Sequence, residues 1–173
     1  MSMAPTEAVS FLAEANARGQ AAYDALPVPG RKDEAWRFTN LKHLDLTAFG
    51  PALPASDADR ARLVEQSRGL GERAAKQVFI NDESVFNEGL DDELIAKGVL
   101  WKPLEQAAAE HPELFRKHFM AHEATLGSRK FAALHQASVK SGTFLYVPKG
   151  VTVALPIEVF HWALGENGST FPH

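Results

Sequence analysis

The fold class is decided by the stretch Ser141-Gly-Thr-Phe-Leu-Tyr-Val-Pro-Lys-Gly-Val-Thr-Val-Ala-Leu-Pro-Ile-Glu-Val-Phe-His-Trp162. Aromatic and β-branched residues predict short strands at Phe144–Val147, Val151–Leu155 and Ile157–Leu164. Pro148-Lys149-Gly150 predicts a turn, because proline fixes φ and glycine accepts a positive φ. Strands this short, with almost no loop between them, are typical of successive faces of a β-solenoid coil rather than of hairpins. No residue in the stretch carries obvious catalytic chemistry.

The composition is that of an ordinary globular protein. The chain has 173 residues, 45% of them hydrophobic and 23% charged, which is enough for one domain or two small units. It has no cysteine, which excludes disulfides, thiolate nucleophiles and cysteine ligation of zinc or iron–sulfur clusters by these residues. The net charge of -4 argues against non-specific binding of nucleic acid or of an acidic membrane surface. Without a signal peptide or an apolar run of about 18–20 residues, a cytoplasmic protein is expected.

The N-terminal part predicts helices. Apolar residues recur at three- and four-residue spacing from Ala8 to Leu26, which predicts an amphipathic helix that Thr6 could cap and Pro27 ends. Trp36 and Phe38, two residues apart among charges, are expected to anchor a local turn to the core. Thr39 is expected to cap a short helix over the residues that follow it.

The rest of the chain predicts a small αβ region and then strands. We expect an N-terminal helical segment at residues 1–47 and a linker rich in Pro, Ala, Gly and Asp at residues 48–60. A small α/β region is expected at residues 61–138, and the start of a solenoid at residues 139–173. Three strands and three helices are predicted in the α/β region: Lys76–Asp82, its hairpin partner Ser84–Phe86, and Gly98–Pro103; then Leu104–His111, Glu113–His122 and a helix capped by Ser128. The fold class is therefore α+β.

Two histidines form the most suggestive constellation. His118 and His122 are four residues apart on a predicted helix, a spacing that zinc sites use, and Glu123 follows. The zincin pattern places its glutamate directly after the first histidine, where this chain has Phe119, and no third ligand is identifiable. An independent metal-binding or small enzymatic module that uses His118 and His122 is thus the alternative hypothesis for the function of the chain.

Other clusters favour structural roles. Glu158, His161 and His173 could form a cupin-like metal site on one solenoid face, but the glycine-bounded His-x-His motifs of cupins are missing. Gly69-Leu70-Gly71 lacks the preceding strand and the Lys-Ser/Thr of a nucleotide loop. The acidic run Asp91–Glu93 is typical of a solvated turn.

A nucleic-acid site is the remaining alternative. Arg31, Lys32 and Arg37 lie beside aromatic residues, as in surfaces that bind phosphates and stack bases, but Asp33 and Glu34 interrupt them. We therefore predict no catalytic, cofactor-binding or metal residue, no cofactor, and no binding of nucleic acid or membrane; an enzyme is not expected.

Three segments resemble a known family. Arg31-Lys-Asp-Glu-Ala-Trp-Arg-Phe-Thr39 resembles the R-x-E-x-W-R-Y-T signature of the SufD family, with Phe38 in place of tyrosine. Lys130-Phe-Ala-Ala-Leu-His-Gln-Ala137 resembles the family's K-F-x-A-L-N-x-A helix, with His135 in place of asparagine. The strand block from Ser141 to Ile157 resembles one that SufB and SufD share. Together these segments favour a SufD-like N-terminal region.

The resemblance implies a non-catalytic subunit of a cytosolic scaffold complex for iron–sulfur cluster assembly, in which SufD pairs with SufB and each binds the ATPase SufC. It also implies that a helical region leads into the first coil of a right-handed parallel β-helix. Residues Thr170–His173 then fall inside a second coil, so a truncated N-terminal fragment is expected. The strands Phe144–Leu164 would leave an open edge through which a homodimer could form.

Overall fold

The computed structural model describes residues 5–122 and 127–173, apart from the side chains of residues 5–10. Within these residues the fold is mixed, with six α-helices, two single-turn 3-10 helices and seven short strands, which confirms the α+β class. The helices are α1 (Pro5–Ala25), α2 (Asp57–Gln66), α3 (Asp92–Ala96), α4 (Leu104–Glu110), α5 (Pro112–His118) and α6 (Arg129–Ser138). The strands are β1 (Gly50–Pro51), β2 (Ala75–Ile80), β3 (Glu83–Glu88), β4 (Leu100–Pro103), β5 (Thr143–Tyr146), β6 (Ile157–Trp162) and β7 (Gly168–Ser169).

The chain divides into two compact units, each built from two separate segments. Unit 1 comprises residues 1–48 and 108–140, and unit 2 comprises residues 49–107 and 141–173. The predicted cap at Thr6 involves a side chain outside the described ones. Of the helices in the described ranges, none has both the length and the apolar character that crossing a bilayer requires.

Unit 1 is held together by close packing of α1 along α6. At Gly19 a Cβ atom would lie 2.4 Å from the backbone nitrogen of Ala137, so only glycine allows this approach. The Asn16 side chain donates to the carbonyls of Ala137 (2.8 Å) and Val139 (2.9 Å), which fixes the two helices lengthwise. Because these bonds join residues more than 120 positions apart, α1 depends on α6 for its partner.

Unit 2 is built around β2, which is buried along its whole length. β3 pairs with it antiparallel on one side and β6 pairs with it parallel on the other. A second pair, β4 with β5, is antiparallel, and β1 pairs with β7 in parallel. The outer side of β6 pairs with no strand within residues 5–122 and 127–173.

Side chains of β2 and its neighbours bind elements on both faces of this sheet. On one face the Trp162 indole donates to the Ser67 hydroxyl at the end of α2 (2.9 Å). On the other, the Thr143 hydroxyl of β5 donates to Gln77 (2.8 Å), and the Trp101 indole of β4 donates to Asn87 (3.1 Å). The sheet therefore lies between α2 and the β4–β5 pair, and the hydroxyl, amide and indole groups named here are hydrogen-bonded.

The tight turn between β2 and β3 binds three other parts of unit 2. Asn81 and Asp82 both have positive φ (50° and 64°), the conformation of a type I′ hairpin turn. Asn81 donates to the carbonyls of Leu53 (2.6 Å) and Leu164 (3.2 Å) and accepts from the Leu164 amide (2.7 Å). Both carboxylate oxygens of Asp82 accept from the Phe171 amide. These two residues set the positions of the segments that cross the hairpin.

Several predicted elements are confirmed. Strands form where the sequence predicted them at Phe144–Val147, Ile157–Leu164 and Lys76–Asp82, and the hairpin partner forms as β3. Ser128 caps α6 by accepting from the Lys130 amide (3.1 Å). The strand predicted at Gly98–Pro103 forms as β4, and the helix predicted from Leu104 forms as α4.

Three predicted elements are wrong. Residues 151–155 form no strand: the Val151 amide closes the preceding turn on Pro148 (3.1 Å), and no described strand pairs with the residues after it. No helix follows Thr39, because the Asn40 side chain accepts from the Lys42 amide (3.2 Å) and makes a turn instead. The helix predicted to reach His122 ends at His118.

The predicted linker 48–60 contains both β1 and the start of α2. Ser56 caps α2 by accepting from the Asp59 amide (3.1 Å), and its hydroxyl donates back to the Asp59 carboxylate (2.7 Å). The Arg62 guanidinium and the Ser56 hydroxyl lower the pKa of Asp59. The pattern Ser-x-x-Asp was thus a helix start inside the predicted linker.

Candidate functional site around Trp36

A short turn after α1 presents Trp36. The Asp33 carboxylate accepts from the Gly30 amide (2.7 Å), and the amides of Asp33 and Trp36 bond back to Gly30 and Asp33 (both 2.9 Å). These bonds close two successive turns and lead into the 3-10 helix Glu34–Trp36. Local hydrogen bonds therefore fix the backbone of the turn that carries this aromatic side chain.

Trp36 contacts Phe131 of α6, which lies in Lys130–Ala137, the second of the segments that resemble a known family. Its ring lies 5.4 Å from that of Phe131, at an interplanar angle of 52°. The expected anchoring of the turn is therefore confirmed for Trp36. It is wrong for Phe38, which is 88% exposed.

The neighbouring Lys130 is a buried cation with two partners. Its side chain is only 9% exposed. The ammonium donates to the carbonyl of Tyr23 and lies 3.7 Å from the centre of the Tyr23 ring. A carbonyl and an aromatic face together compensate the lost hydration of the charge. Lys130 therefore ties α6 to the end of α1 and is not a free anion receptor.

A cavity of about 350 Å³ opens beside Trp36. Leu26, Pro27 and Trp36 contribute apolar surface to its wall. Charged residues lie around it, with Asp33 and Glu34 from the turn and Arg129 from α6. An apolar wall with charges beside it suits the docking of one large apolar side chain.

Arg37, one of the three basic residues considered for nucleic-acid binding, is engaged within the turn itself. The Arg37 guanidinium pairs with Glu34 (3.0 Å) and lies 4.5 Å from the centre of the Phe38 ring. The acidic partner neutralises the charge that a phosphate would bind. The geometry of Arg37 therefore disfavours the nucleic-acid alternative built on Arg31, Lys32 and Arg37.

The structure removes the shared helix face on which the His118–His122 hypothesis depended. α5 ends at His118, Phe119 is extended (φ -64°, ψ 116°), and Met120 has a positive φ of 47°. Both histidines are exposed, and Glu123 lies outside the described residues. Within residues 5–122 and 127–173, no three His, Asp or Glu side chains come together as a metal site.

Glu158 and His161 lie on opposite faces of β6, because their separation of three residues is odd. The Glu158 carboxylate accepts from the Leu70 amide (2.5 Å), whereas the His161 ring stacks on Phe79 at 4.8 Å. Burial lowers the pKa of His161, and the nearby Asp82 charge partly opposes this. The cupin-like cluster of Glu158, His161 and His173, which the sequence already disfavoured, does not form among the described residues.

The two remaining motifs have structural explanations. A Cβ at Gly69 would meet the Glu158 carboxylate at 2.0 Å, so Gly69-Leu70-Gly71 receives this carboxylate rather than a phosphate. Asp91 caps α3 by accepting from the Leu94 amide (2.8 Å), and Lys97 pairs with Glu93 (2.6 Å). Of the important contacts, Lys130–Tyr23 and Asn81–Leu164 were missed, because only the folded chain brings their partners together.

Comparison with known proteins gives a consistent answer. A family model described as the SufBD protein N-terminal region matches residues 2–159. "Iron-sulfur cluster assembly protein SufD" of Bacillus subtilis (strain 168) is 31% identical over 152 residues, which is 86% of this chain and 33% of that protein. An iron–sulfur cluster assembly SufBD family protein of Staphylococcus epidermidis is 34% identical over 90 residues, covering 52% of this chain and 19% of its own length.

The chain therefore spans about a third of the Bacillus relative and about a fifth of the staphylococcal one. The family model covers most of the chain, including the Trp36 turn, α6 and β2. All three segments that resemble the family lie within the match, which ends inside β6. This chain belongs to the SufBD family, and it matches the N-terminal region of that family.

Proposed function

We propose that this chain acts in iron–sulfur cluster assembly, as the N-terminal part of a SufD-like subunit of a cytoplasmic scaffold complex with SufB-like and SufC-like subunits. The observation that carries the proposal is the family match over residues 2–159, supported by the Bacillus relative named for this process. In this role the chain supplies surfaces for protein contacts, and the iron–sulfur cluster is the cargo of the complex.

A non-catalytic role is supported by what the polar residues of the chain do. The groups that the sequence singled out for chemistry make structural bonds: Asp91 caps a helix, Glu158 binds a loop amide, and His161 stacks on Phe79. We therefore propose that this region organises the complex and performs no reaction of its own.

We also propose that residues 139–173 begin a right-handed parallel β-helix. The two parallel pairs, β2 with β6 and β1 with β7, support it, because stacked coils pair in parallel. The free side of β6 is then the edge for the next strand of the solenoid. In isolated chains, the same edge would serve for pairing with a second copy.

The test is assembly with the other subunits. Purified chain is mixed with the SufB-like and SufC-like subunits of the same organism, singly and together, and complexes are measured by size-exclusion chromatography with light scattering. We expect a complex that contains all three, and delivery of clusters to an apo-acceptor that falls when this chain is omitted. Failure of the chain to associate with either subunit, alone or together, would contradict the proposal.

A further inference from the structure

We propose that the Trp36 cavity receives the Phe38 side chain of a second copy of this chain, so that unit 1 forms a two-fold symmetric contact. Phe38 is 88% exposed and therefore does not fill the cavity of its own chain. The cavity, at about 350 Å³, has room for one phenyl ring against the indole and Pro27. A protruding aromatic ring and an apolar receptor thus lie two residues apart on the same turn.

This arrangement is self-complementary, which is what a two-fold contact requires. In such a contact the same patch meets itself, so a knob and its hole must both lie on it. Aromatic and arginine side chains are also the residues that most often carry the binding energy of an interface.

The charges of the turn support the same pairing. The Arg37 guanidinium lies over the Phe38 ring, so it accompanies the ring into the partner's cavity. Glu34 lines that cavity, and its side chain is 84% exposed. In the two-fold contact, Arg37 of one copy pairs with Glu34 of the other copy. It also keeps its ion pair with Glu34 of its own turn. One ring and one ion pair per copy make a small contact, so the dimer dissociates on dilution.

Sedimentation velocity of the whole chain over a concentration series tests the proposal. We expect Phe38→Ser to weaken self-association about 30-fold or more, as loss of an interface anchor does. Leu53→Ser is the matched control, because Leu53 is 79% exposed but belongs to unit 2. Val159→Lys tests the competing contact, because a lysine on the free β6 edge blocks strand pairing.

A charge exchange tests the orientation. Glu34→Arg places two arginines together in the symmetric dimer and Arg37→Glu places two glutamates together, so each variant alone should stay monomeric. A mixture of the two variants restores both opposite-charge pairs and should dimerise. The proposal is overturned if the unaltered chain stays monomeric at every concentration, if Phe38→Ser dimerises normally, or if the mixture gains nothing over either variant. None of these outcomes affects binding to SufB-like or SufC-like subunits, which tests the proposed function separately.

Discussion

Gly19 and Gly69 show how the neighbour of a missing Cβ decides the effect of a substitution. At Gly69 the neighbour is the carboxylate at the end of a flexible Glu158 side chain, which can move away. At Gly19 the neighbours are the backbone atoms of Gln136 and Ala137, within 2.7 Å, and these cannot move without shifting α6. Gly19 is therefore the position where one methyl group most directly opposes the packing of unit 1.

Gly19→Ala should destabilise the chain although alanine favours a helix. The gain in helix propensity is about 1 kcal/mol, whereas forcing two packed backbones apart costs about 1–3 kcal/mol or more. Because the neighbours are backbone atoms, we expect the upper end of that cost and so a net loss of about 2 kcal/mol in the free energy of unfolding, measured by urea denaturation. Gly30→Ala, where no atom lies within 4 Å of the added Cβ, is the control. A Gly19→Ala variant as stable as the unaltered chain would show that α1 and α6 are farther apart.

For single residues, the sequence predicted local hydrogen bonds to the backbone better than it predicted which side chains are buried. Ser128 was recognised as a cap because its bond reaches only two residues along the chain. Phe38 was expected inside because aromatic residues usually are, but nothing local reports whether a side chain finds a partner. Lysine is a residue type that is usually exposed, but Lys130 is buried against Tyr23, which lies more than 100 residues earlier in the chain.

At the scale of elements, β6 carries a titratable group against the buried strand β2. His161 stacks on Phe79 at 4.8 Å with nearly parallel rings, and burial lowers the pKa of His161 from its ordinary value of 6.5. A pKa that is lower in the folded state means that the unfolded chain binds more protons near this pH. Stability then rises with pH in this range and falls on acidification.

Acidification should therefore weaken the β2–β6 pairing through His161. The contribution is complete above pH 6.5 and is lost as the pH falls from there towards the lowered pKa of the folded state. The free energy of unfolding, measured from pH 7.5 to pH 5, should fall more for the unaltered chain than for His161→Gln. His43→Gln alters an exposed histidine of unit 1 and is the control. Parallel pH profiles for the chain and His161→Gln would contradict the prediction.

A helix or strand was predictable where the sequence pattern also indicates the element that pairs with it. β2 reads as a buried strand and β3 follows it after a two-residue turn, so a hairpin was predicted and formed. Val151–Leu155 is also rich in aliphatic and β-branched residues, but none of the described strands pairs with it, and composition cannot supply a neighbour. The helix α5 stopped at His118 because the backbone turns at Phe119 and Met120, although neither residue is a helix breaker by type.

At the scale of the whole molecule, each compact unit is completed by residues late in the chain. α1 lies against α6, and β2 lies between β3 and β6. A helix in a protein takes most of its stability from tertiary packing, and an isolated hairpin is marginal in water. The early elements therefore have little stability until residues after 127 have joined them, and the many contacts distant in sequence predict slow folding.

A fragment of residues 1–127 should consequently lack a cooperative unfolding transition. It loses α6, which covers α1, and β5 and β6, which cover β2, so Phe79 and Ile80 become exposed to water. A fragment of residues 1–163 keeps all three of these elements and loses the Asn81–Leu164 bonds, the β1–β7 pairing and the contact of Phe171 with Asp82. We expect urea unfolding followed by circular dichroism to be cooperative for residues 1–163, at reduced stability, and to be a gradual change for residues 1–127. A cooperative transition in the shorter fragment would mean that the early elements form a core of their own.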